Sequence, residues 1–235
     1  MRFLAGIELR ELGSDTYIAD LPVVQGLLRA GPLRFKSPVT FLVGENGSGK
    51  STLVEAMAVG MGFNAEGGSR NTLFSAENSV SELHQWLTLQ RIRNPRDGYF
   101  LRGESTYRLA IYLDKEVGGT APLLPISHGE MTLKLLRERF HGRGLYLLDE
   151  PESGLSPESQ LELMARIAVL AEMGAQFVVA THSPIVLAVP GAEIWQITDS
   201  GIVPANYDSC DLVAGYLEFM ADPHGTADYL CSEDE

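Results

Sequence analysis

The chain has 235 residues, 45% of them apolar, and a formal net charge of −13. This length accommodates one large or two small domains with a buried core, and the composition is typical of a soluble globular α/β protein. No apolar run is long enough to cross a bilayer, and Glu8, Arg10 and Glu11 interrupt the N-terminus too early for a signal peptide. We therefore expect a cytoplasmic protein without membrane insertion, in which Cys210 and Cys231 are free thiols.

Short strands are predicted in the N-terminal part of the chain, which extends to about residue 43. They cover Phe3–Leu9, Tyr17–Ala19 and Val39–Val43, and Val23–Leu28 forms a short apolar stretch between them.

A glycine-rich loop directly follows the last of these strands. Residues 44–51 read Gly-Glu-Asn-Gly-Ser-Gly-Lys-Ser. The glycines let backbone N–H groups turn inward around a triphosphate, Lys50 adds a charge at the β/γ-phosphates, and the Ser51 hydroxyl can ligate Mg²⁺. Residues 52–59 predict a helix whose positive N-terminal end points at the same phosphates. The loop predicts binding of a nucleoside triphosphate, and its binding residues are Gly44, Asn46, Gly47, Ser48, Gly49, Lys50, Ser51 and Thr52.

The middle of the chain predicts weaker elements. We expect a mobile surface excursion over Gly60–Ser79, a weak helix over Ser81–Arg91, a strand over Tyr99–Arg102 and a helix over Ser105–Lys115. The sequence Ser-His-Gly-Glu at 127–130 has the S-x-x-E pattern of a capping box, so it predicts the start of the next helix.

The last third of the chain alternates strands with helices. The apolar runs Leu145–Leu148 and Gln176–Ala180 are typical of strands buried in parallel sheets. Helices are predicted over 156–172 and 208–220, with a small β-turn-β element at 194–203. This alternation predicts an α/β fold with a mostly parallel sheet and helices on both faces, and together with the glycine-rich loop at 44–51 it indicates the P-loop NTPase class.

Catalytic side chains are predicted where two of the buried strands end. Asp149 ends one strand and is placed to hold Mg²⁺, and Glu150 beside it is the natural general base for an attacking water. His182 follows the other strand, where it could donate a hydrogen bond to the γ-phosphate. With Lys50, these residues predict a site that hydrolyses the nucleotide.

Charge is unevenly distributed along the chain. No Lys or Arg follows Arg166, and the chain ends Glu-Asp-Glu. Basic residues cluster instead in two central regions. Either these clusters form a basic surface for nucleic acid or a partner, or they are ordinary solvated faces. The clusters are Arg91, Arg93, Arg96, Arg102 and Arg108, and Lys134, Arg137, Arg139 and Arg143.

Three ordered motifs, at 41–52, 147–151 and 180–184, resemble those of the ATP-binding-cassette (ABC) ATPases. Within that superfamily the chain looks similar to stand-alone AAA-type ATPases related to the SMC/RecF group. The resemblance implies one ABC-type ATPase domain over 1–235, with small antiparallel β and helical subdomains. Its approximate subregions are an N-terminal β region with the P-loop strand (1–43), the P-loop, helix and excursion (44–102), a helical subdomain (103–144), a second core part (145–206) and a C-terminal helix with an acidic tail (207–235).

The resemblance also implies further site residues. Ser127, Gly129 and Glu130 stand where the family's signature loop contacts ATP held by another subunit. Residues 153–156 match the D-loop, with Ser156 in place of its usual aspartate.

Two more positions stay open. Either Glu104 or Gln90 could correspond to the Q-loop glutamine. Tyr17 is either the aromatic residue that stacks on adenine or a half-buried strand tyrosine.

The function that the resemblance implies is Mg²⁺-dependent ATP hydrolysis by an ATP-sandwich homodimer. This cycle would drive a soluble process with an unidentified effector protein or nucleic acid, DNA being one candidate. Two alternatives remain at this point. One is the ATP-binding subunit of an ABC membrane transporter that works with a separate permease. The other is an ATP-dependent dimerisation switch without significant turnover.

Overall fold

A computed structural model describes residues 2–12, 16–69, 80–102 and 128–232. Nine strands in these ranges form two sheets, a three-stranded sheet and a six-stranded one. The strands are β1 (Leu4–Leu9), β2 (Leu33–Arg34), β3 (Val39–Gly44), β4 (Leu87–Arg91), β5 (Asp97–Arg102), β6 (Gly144–Asp149), β7 (Gln176–Ala180), β8 (Glu193–Thr198) and β9 (Gly201–Ala205).

The six-stranded sheet has the order β5-β6-β7-β3-β8-β9. All neighbouring pairs are parallel except β8 with β9, which are antiparallel. The parallel strands therefore end at one edge, where loops from distant parts of the chain meet. In this register Asp149 and Leu42 both lie opposite Ala180.

Helices cover the six-stranded sheet and extend beyond it at the C-terminal end. They are α1 (Pro22–Ala30), α2 (Lys50–Gly60), α3 (Leu83–Trp86), α4 (His128–Arg139), α5 (Pro157–Glu172), α6 (Pro184–Leu187), α7 (Asp211–Ala221) and α8 (Pro223–Ser232). A short 3₁₀ turn at Tyr207–Ser209 precedes α7. Within the described ranges, no helix is both long and apolar enough to cross a membrane.

Alternation along the buried strands divides the core into two clusters. In β6, Leu145 and Leu147 pack into one cluster while Tyr146 and Leu148 pack into the other, as the two-residue period of a strand requires. The first cluster contains residues of α1, α2 and the three-stranded sheet, and the second contains residues of α4 and α5. The predicted α/β fold with a mostly parallel sheet and flanking helices is confirmed.

The three-stranded sheet has the order β2-β1-β4 and is antiparallel. Gln176 at the start of β7 fixes the beginning of β1. Its side-chain oxygen accepts hydrogen bonds from the backbone N–H groups of Phe3 and Leu4, at 2.7 and 2.9 Å, and its amide nitrogen donates to the Leu4 carbonyl at 2.8 Å. This fully buried amide ties the two sheets together.

Three local predictions differ from the structure. Residues 17–20 form a turn rather than a strand. The helix predicted over Ser81–Arg91 is a single helical turn, α3, followed by β4, because residues 87–91 pair with β1. The part of the predicted surface excursion that is described is packed, with Phe63 buried and Gly68 hydrogen-bonded to Phe100. The helix predicted over Ser105–Lys115 lies outside the described residues.

Candidate functional site

The glycine-rich loop connects β3 to α2 at the centre of the sheet edge. Gly47 and Gly49 have φ angles of 78° and 91°, a left-handed conformation that glycine adopts without steric cost. A Cβ atom on Gly49 would lie 2.5 Å from Cγ1 of Val23 in α1. The Val23 N–H also donates to the Ser48 carbonyl at 2.9 Å. Helix α1 therefore packs against the loop, and its Val23 side chain leaves room only for glycine at position 49.

The Lys50 side chain is buried and folds back over the loop. Its Nζ donates hydrogen bonds to the carbonyl oxygens of Gly44 and Glu45, at 2.8 and 2.9 Å. Burial lowers the pKa of Lys50, and the charges of Glu150 and Asp149 oppose that shift. The ammonium group is thus held inside the loop, where phosphate oxygens could replace the carbonyl acceptors.

Asp149 ends β6 as a buried carboxylate beside Ser51. Burial raises its pKa to about 6, and a hydrogen bond with the Ser51 side chain opposes this shift. Its Oδ1 atom is buried and has no hydrogen-bond partner among the described residues. An unpartnered carboxylate oxygen next to a hydroxyl fits Mg²⁺, which takes one or two protein ligands and completes its shell with water and phosphate oxygens. The described ranges contain no group of three or more His, Cys, Asp and Glu suited to a metal.

Glu150 has a strained backbone. Its φ angle is 47°, and within the described ranges no other residue except glycine has a positive φ. This left-handed conformation costs about 1–2 kcal/mol in a residue with a side chain, and such strain is concentrated at functional sites. The backbone is fixed by a 2.9 Å hydrogen bond from the Glu150 N–H to the Ala180 carbonyl. The side chain reaches a cavity of about 200 Å³ that Lys50 and Ser51 also line.

His182 lines the same cavity from the end of β7. Its Nε2 lies 3.8 Å from Oε1 of Glu150. Burial lowers the pKa of His182 and the charge of Lys50 lowers it further, against the opposing effect of Glu150 and Glu45. The ring is therefore predominantly neutral near pH 7, where one nitrogen donates and the other accepts.

Glu152 and Gln160 hold the segment after β7 in place, and neither residue was predicted from the sequence. Oε1 of Glu152 accepts a hydrogen bond of 2.6 Å from the His182 N–H, and burial raises the pKa of this carboxyl group. Gln160 accepts from the Ser183 hydroxyl at 2.6 Å and donates to the Leu155 carbonyl at 3.0 Å. The only sequence signal for Glu152 is its position two residues after Glu150.

Arg102 is a third residue that the sequence analysis did not place in the site. It ends β5 opposite Asp149, and its guanidinium forms an ion pair of 2.8 Å with Glu55 of α2. Its charge acts to lower the pKa of Asp149, although burial has the larger effect. This ion pair joins β5 to the helix that follows the phosphate-binding loop.

The segment predicted as a signature loop is described only from His128 onward, so Ser127 lies outside the described residues. Gly129 in the first turn of α4 is buried against the D-loop, since a Cβ atom there would lie 2.4 Å from the Gly154 carbonyl. Glu130 is exposed. The structure brings this segment next to Gly154 of its own chain, and Ser156 caps α5 by accepting from the Ser159 N–H.

The Q-loop and adenine-contact positions have different outcomes. Gln90, one of the two alternatives for the Q-loop residue, lies in β4 of the three-stranded sheet with its Oε1 beside Gly6, and not in the sheet whose edge carries the glycine-rich loop. Glu104 lies outside the described residues. Tyr17 is 74% exposed in a turn, so the alternative of a half-buried strand residue is wrong. Its contact with adenine stays a prediction.

Comparison with known proteins agrees with these motifs. The family described as "AAA domain" matches residues 27–116, and the family described as "AAA domain, putative AbiEii toxin, Type IV TA system" matches residues 120–188. No curated protein is significantly similar in sequence. Both matched families are described as AAA domains, and each match covers less than half of the chain.

Solved structures with a similar fold include an ATP-binding cassette and an SMC head domain. A nucleotide-free ATP-binding cassette from an ABC transporter is 15% identical, with a TM-score of 0.47, over 92% of this chain and 96% of that one. The SMC head domain from Thermotoga maritima is 17% identical, with a TM-score of 0.46, over 87% of this chain and 100% of that one.

Proposed function

We propose that the protein binds ATP with Mg²⁺ and hydrolyses it to ADP and phosphate. The observation that carries this proposal is the Glu150 side chain, which lines the cavity with Lys50 and Ser51 and is attached to a backbone held in a strained conformation. A site that only bound nucleotide would need no carboxylate held there at a conformational cost.

In this mechanism each side chain has one task. Lys50 and the loop N–H groups bind the β- and γ-phosphates, and Ser51 with Asp149 would hold Mg²⁺. The metal, when bound, would neutralise charge that develops on the phosphate oxygens. Glu150 takes the proton from a water as that water attacks the γ-phosphorus and the bond to the ADP oxygen breaks. His182 donates a hydrogen bond to the γ-phosphate through its protonated ring nitrogen.

We further propose that two copies close around two nucleotides, with the loop at Ser127–Glu130 of one copy completing the site of the other. The contact between Gly129 and Gly154 supports this arrangement, because it joins the signature segment and the D-loop into one continuous surface. Glu130 is exposed in the single chain, so a second subunit can contact it. A monomer would then hydrolyse ATP slowly.

The test is Glu150→Gln, which keeps the shape of the side chain and removes the base. We expect ATP affinity to be retained, turnover to fall by about two orders of magnitude or more, and a dimer to accumulate with MgATP. Binding is measured by calorimetry, turnover by phosphate release and assembly by light scattering. The matched control is Glu158→Gln on the exposed start of α5, which should behave as the unmodified protein. Unchanged turnover would exclude Glu150 as the base, and a variant that stays monomeric with MgATP would exclude the sandwich.

We propose a soluble, cytoplasmic process as the use of this cycle. The effector would be a protein or nucleic acid, and DNA is the first candidate to test. Stimulation of ATP hydrolysis by DNA would support this use, whereas stimulation only by a co-purified membrane permease would identify a transporter subunit. Dimerisation by MgATP without measurable hydrolysis would instead identify a switch.

A further inference from the structure

Four basic side chains surround an open cleft on the three-stranded sheet. We call this the basic cleft. It has a volume of about 650 Å³ and is lined by Arg2, Ala5, Arg34, Phe35, Lys36, Ile92 and Arg93. Three chain segments that are distant in sequence supply the four cations, from the start of β1, the end of β2 and the end of β4. The lining contains no acidic residue.

None of these four side chains forms an ion pair within the described ranges, although the Glu193 carboxylate accepts a 2.8 Å hydrogen bond from the Lys36 backbone N–H. By contrast, Arg10, Arg102 and Arg137 each form an ion pair with a glutamate. Four basic side chains without an ion pair among the described residues are notable in a chain with 31 acidic and 18 basic residues. Four positive charges gathered on one face repel each other, and an anion bound between them would relieve that repulsion.

The floor of the basic cleft is rigid. Phe35 stacks on Trp195 with ring centroids 4.8 Å apart, and its N–H donates to the Ala5 carbonyl at 2.9 Å. The Arg2 guanidinium donates to the Phe35 carbonyl, and the Arg93 guanidinium lies 4.4 Å above the Phe3 ring. Two of the four cations are thus already positioned, which lowers the entropic cost of binding a ligand.

The basic cleft is separate from the nucleotide site. Lys36 lies just before the start of β3, whereas the phosphate-binding loop follows the end of that strand. The six residues of β3 span about 20 Å. A ligand in the basic cleft therefore does not compete with nucleotide for the same groups.

We propose that the basic cleft binds a phosphate-bearing ligand. Arginine presents several N–H donors in a planar fork that matches phosphate oxygens, and lysine adds a mobile point charge. The cleft is open rather than enclosed, and Ile92 on its wall is 58% exposed, so a ligand with an apolar portion also finds a contact. The phosphate can come from a nucleic-acid backbone or from a small phosphorylated molecule.

The test compares two double variants of equal charge change. The cleft variant combines Arg34→Glu with Lys36→Glu and reverses two exposed charges of the basic cleft. The control variant combines Lys134→Glu with Arg143→Glu and reverses two exposed charges elsewhere. Binding of a fluorescein-labelled DNA duplex is measured by anisotropy, and binding of pyrophosphate by calorimetry, with the nucleotide site saturated by MgADP in both assays. Thermal melting and circular dichroism confirm that each variant is folded.

We expect the cleft variant to lose at least about tenfold in affinity, and the control variant to lose much less. For the duplex, the slope of log K against log salt should become shallower by about 2, because two phosphate contacts are removed. Loss of duplex binding identifies a nucleic-acid backbone, and loss of pyrophosphate binding alone identifies a small phosphorylated ligand. The proposal is overturned if neither probe binds, or if both variants weaken binding equally. Hydrolysis enters neither binding measurement, so the result is independent of the proposed ATPase activity.

Discussion

At the scale of single residues, the buried Asp149 carboxylate lowers the stability of the folded protein when no cation is bound. Its pKa is about 6 in the folded chain, against 3.8 for an ordinary aspartate, because burial disfavours the charged form. The folded state therefore binds more protons than the unfolded state between these pH values. Stability falls as the pH rises through this window, and the full penalty, about 3 kcal/mol at most, is present above pH 6.

We predict that Asp149→Asn stabilises the metal-free protein by about 1–3 kcal/mol at about pH 7.5 and by much less at about pH 4. The neutral amide removes the buried charge and can still hydrogen-bond with Ser51. The same variant should lose Mg²⁺-dependent hydrolysis, because a carboxylate ligand is gone. Urea unfolding at the two pH values measures the stability. The control is Asp208→Asn, an exposed position that should change little. A less stable Asp149→Asn variant at neutral pH would contradict this account.

Some residues of the candidate site could be predicted from the sequence, and others could not. Lys50, Asp149 and His182 follow apolar strand-like runs, so their arrival at one sheet edge could be predicted from the pattern. Glu152 and Gln160 act through contacts with a neighbouring segment, the His182 N–H and the Ser183 hydroxyl. Such contacts depend on how side chains from different elements meet, and no local pattern encodes them.

At the scale of elements, the start of α4 is fitted closely against the loop that precedes α5. Gly129 allows the Gly154 carbonyl to approach to a distance that a Cβ atom would block, since the atoms would be 2.4 Å apart. The obstructing atom belongs to the backbone, which cannot move aside as a flexible side chain can.

We therefore predict that Gly129→Ala weakens the contact between these two elements. Stability should fall by about 1–3 kcal/mol, as in other overpacked sites, and the MgATP-dependent dimer should dissociate more readily. Thermal unfolding and light scattering provide the two measurements. Gly215→Ala is the matched control, since it lies in α7 with no atom within 4 Å of the added Cβ and should be neutral or stabilising by up to about 1 kcal/mol. Equal stability of the two variants would show that α4 can shift without cost.

Elements with local signals were predicted well, and those decided by pairing were not. The N-cap Ser156 and the proline after it define the start of α5, and the structure has the helix there. By contrast, residues 87–91 alternate apolar and polar side chains only over the four residues 87–90, a signal too short to distinguish a strand from the end of a helix, and they form β4 because β1 offers a partner strand. Pairing between segments about 80 residues apart in sequence overrides weak local preference.

At the scale of the whole molecule, the six-stranded sheet separates two surfaces with different chemistry. The carboxyl edge of the parallel strands gathers Lys50, Glu150 and His182 around one cavity, and Asp149 is buried beside Ser51 at the same edge. The basic cleft lies at the other end of β3. The buried strand β3 connects the two surfaces.

The predicted nucleotide site also contains charged groups whose burial is unfavourable when no nucleotide is bound. Burial raises the pKa of both Asp149 and Glu152 and lowers that of Lys50, so each of these groups loses solvation when the chain folds. MgATP would add a dication near the carboxylates and phosphates near the lysine. Binding should therefore stabilise the whole domain rather than the loop alone.

We predict that MgATP at about one hundred times its dissociation constant stabilises the protein by about 2.7 kcal/mol. For a domain of this size that corresponds to a rise in Tm of roughly 5–10 °C. Removing Mg²⁺ with a chelator should abolish most of the rise, because uncompensated ATP brings negative charge next to Asp149 and Glu150. Lys50→Ala should show little rise even with Mg²⁺, whereas Lys134→Ala, an exposed lysine on α4, should respond as the unmodified protein does. An equal rise with ATP and chelator would show that the carboxylate edge is not the metal site, and the stabilisation would then come from the glycine-rich loop alone.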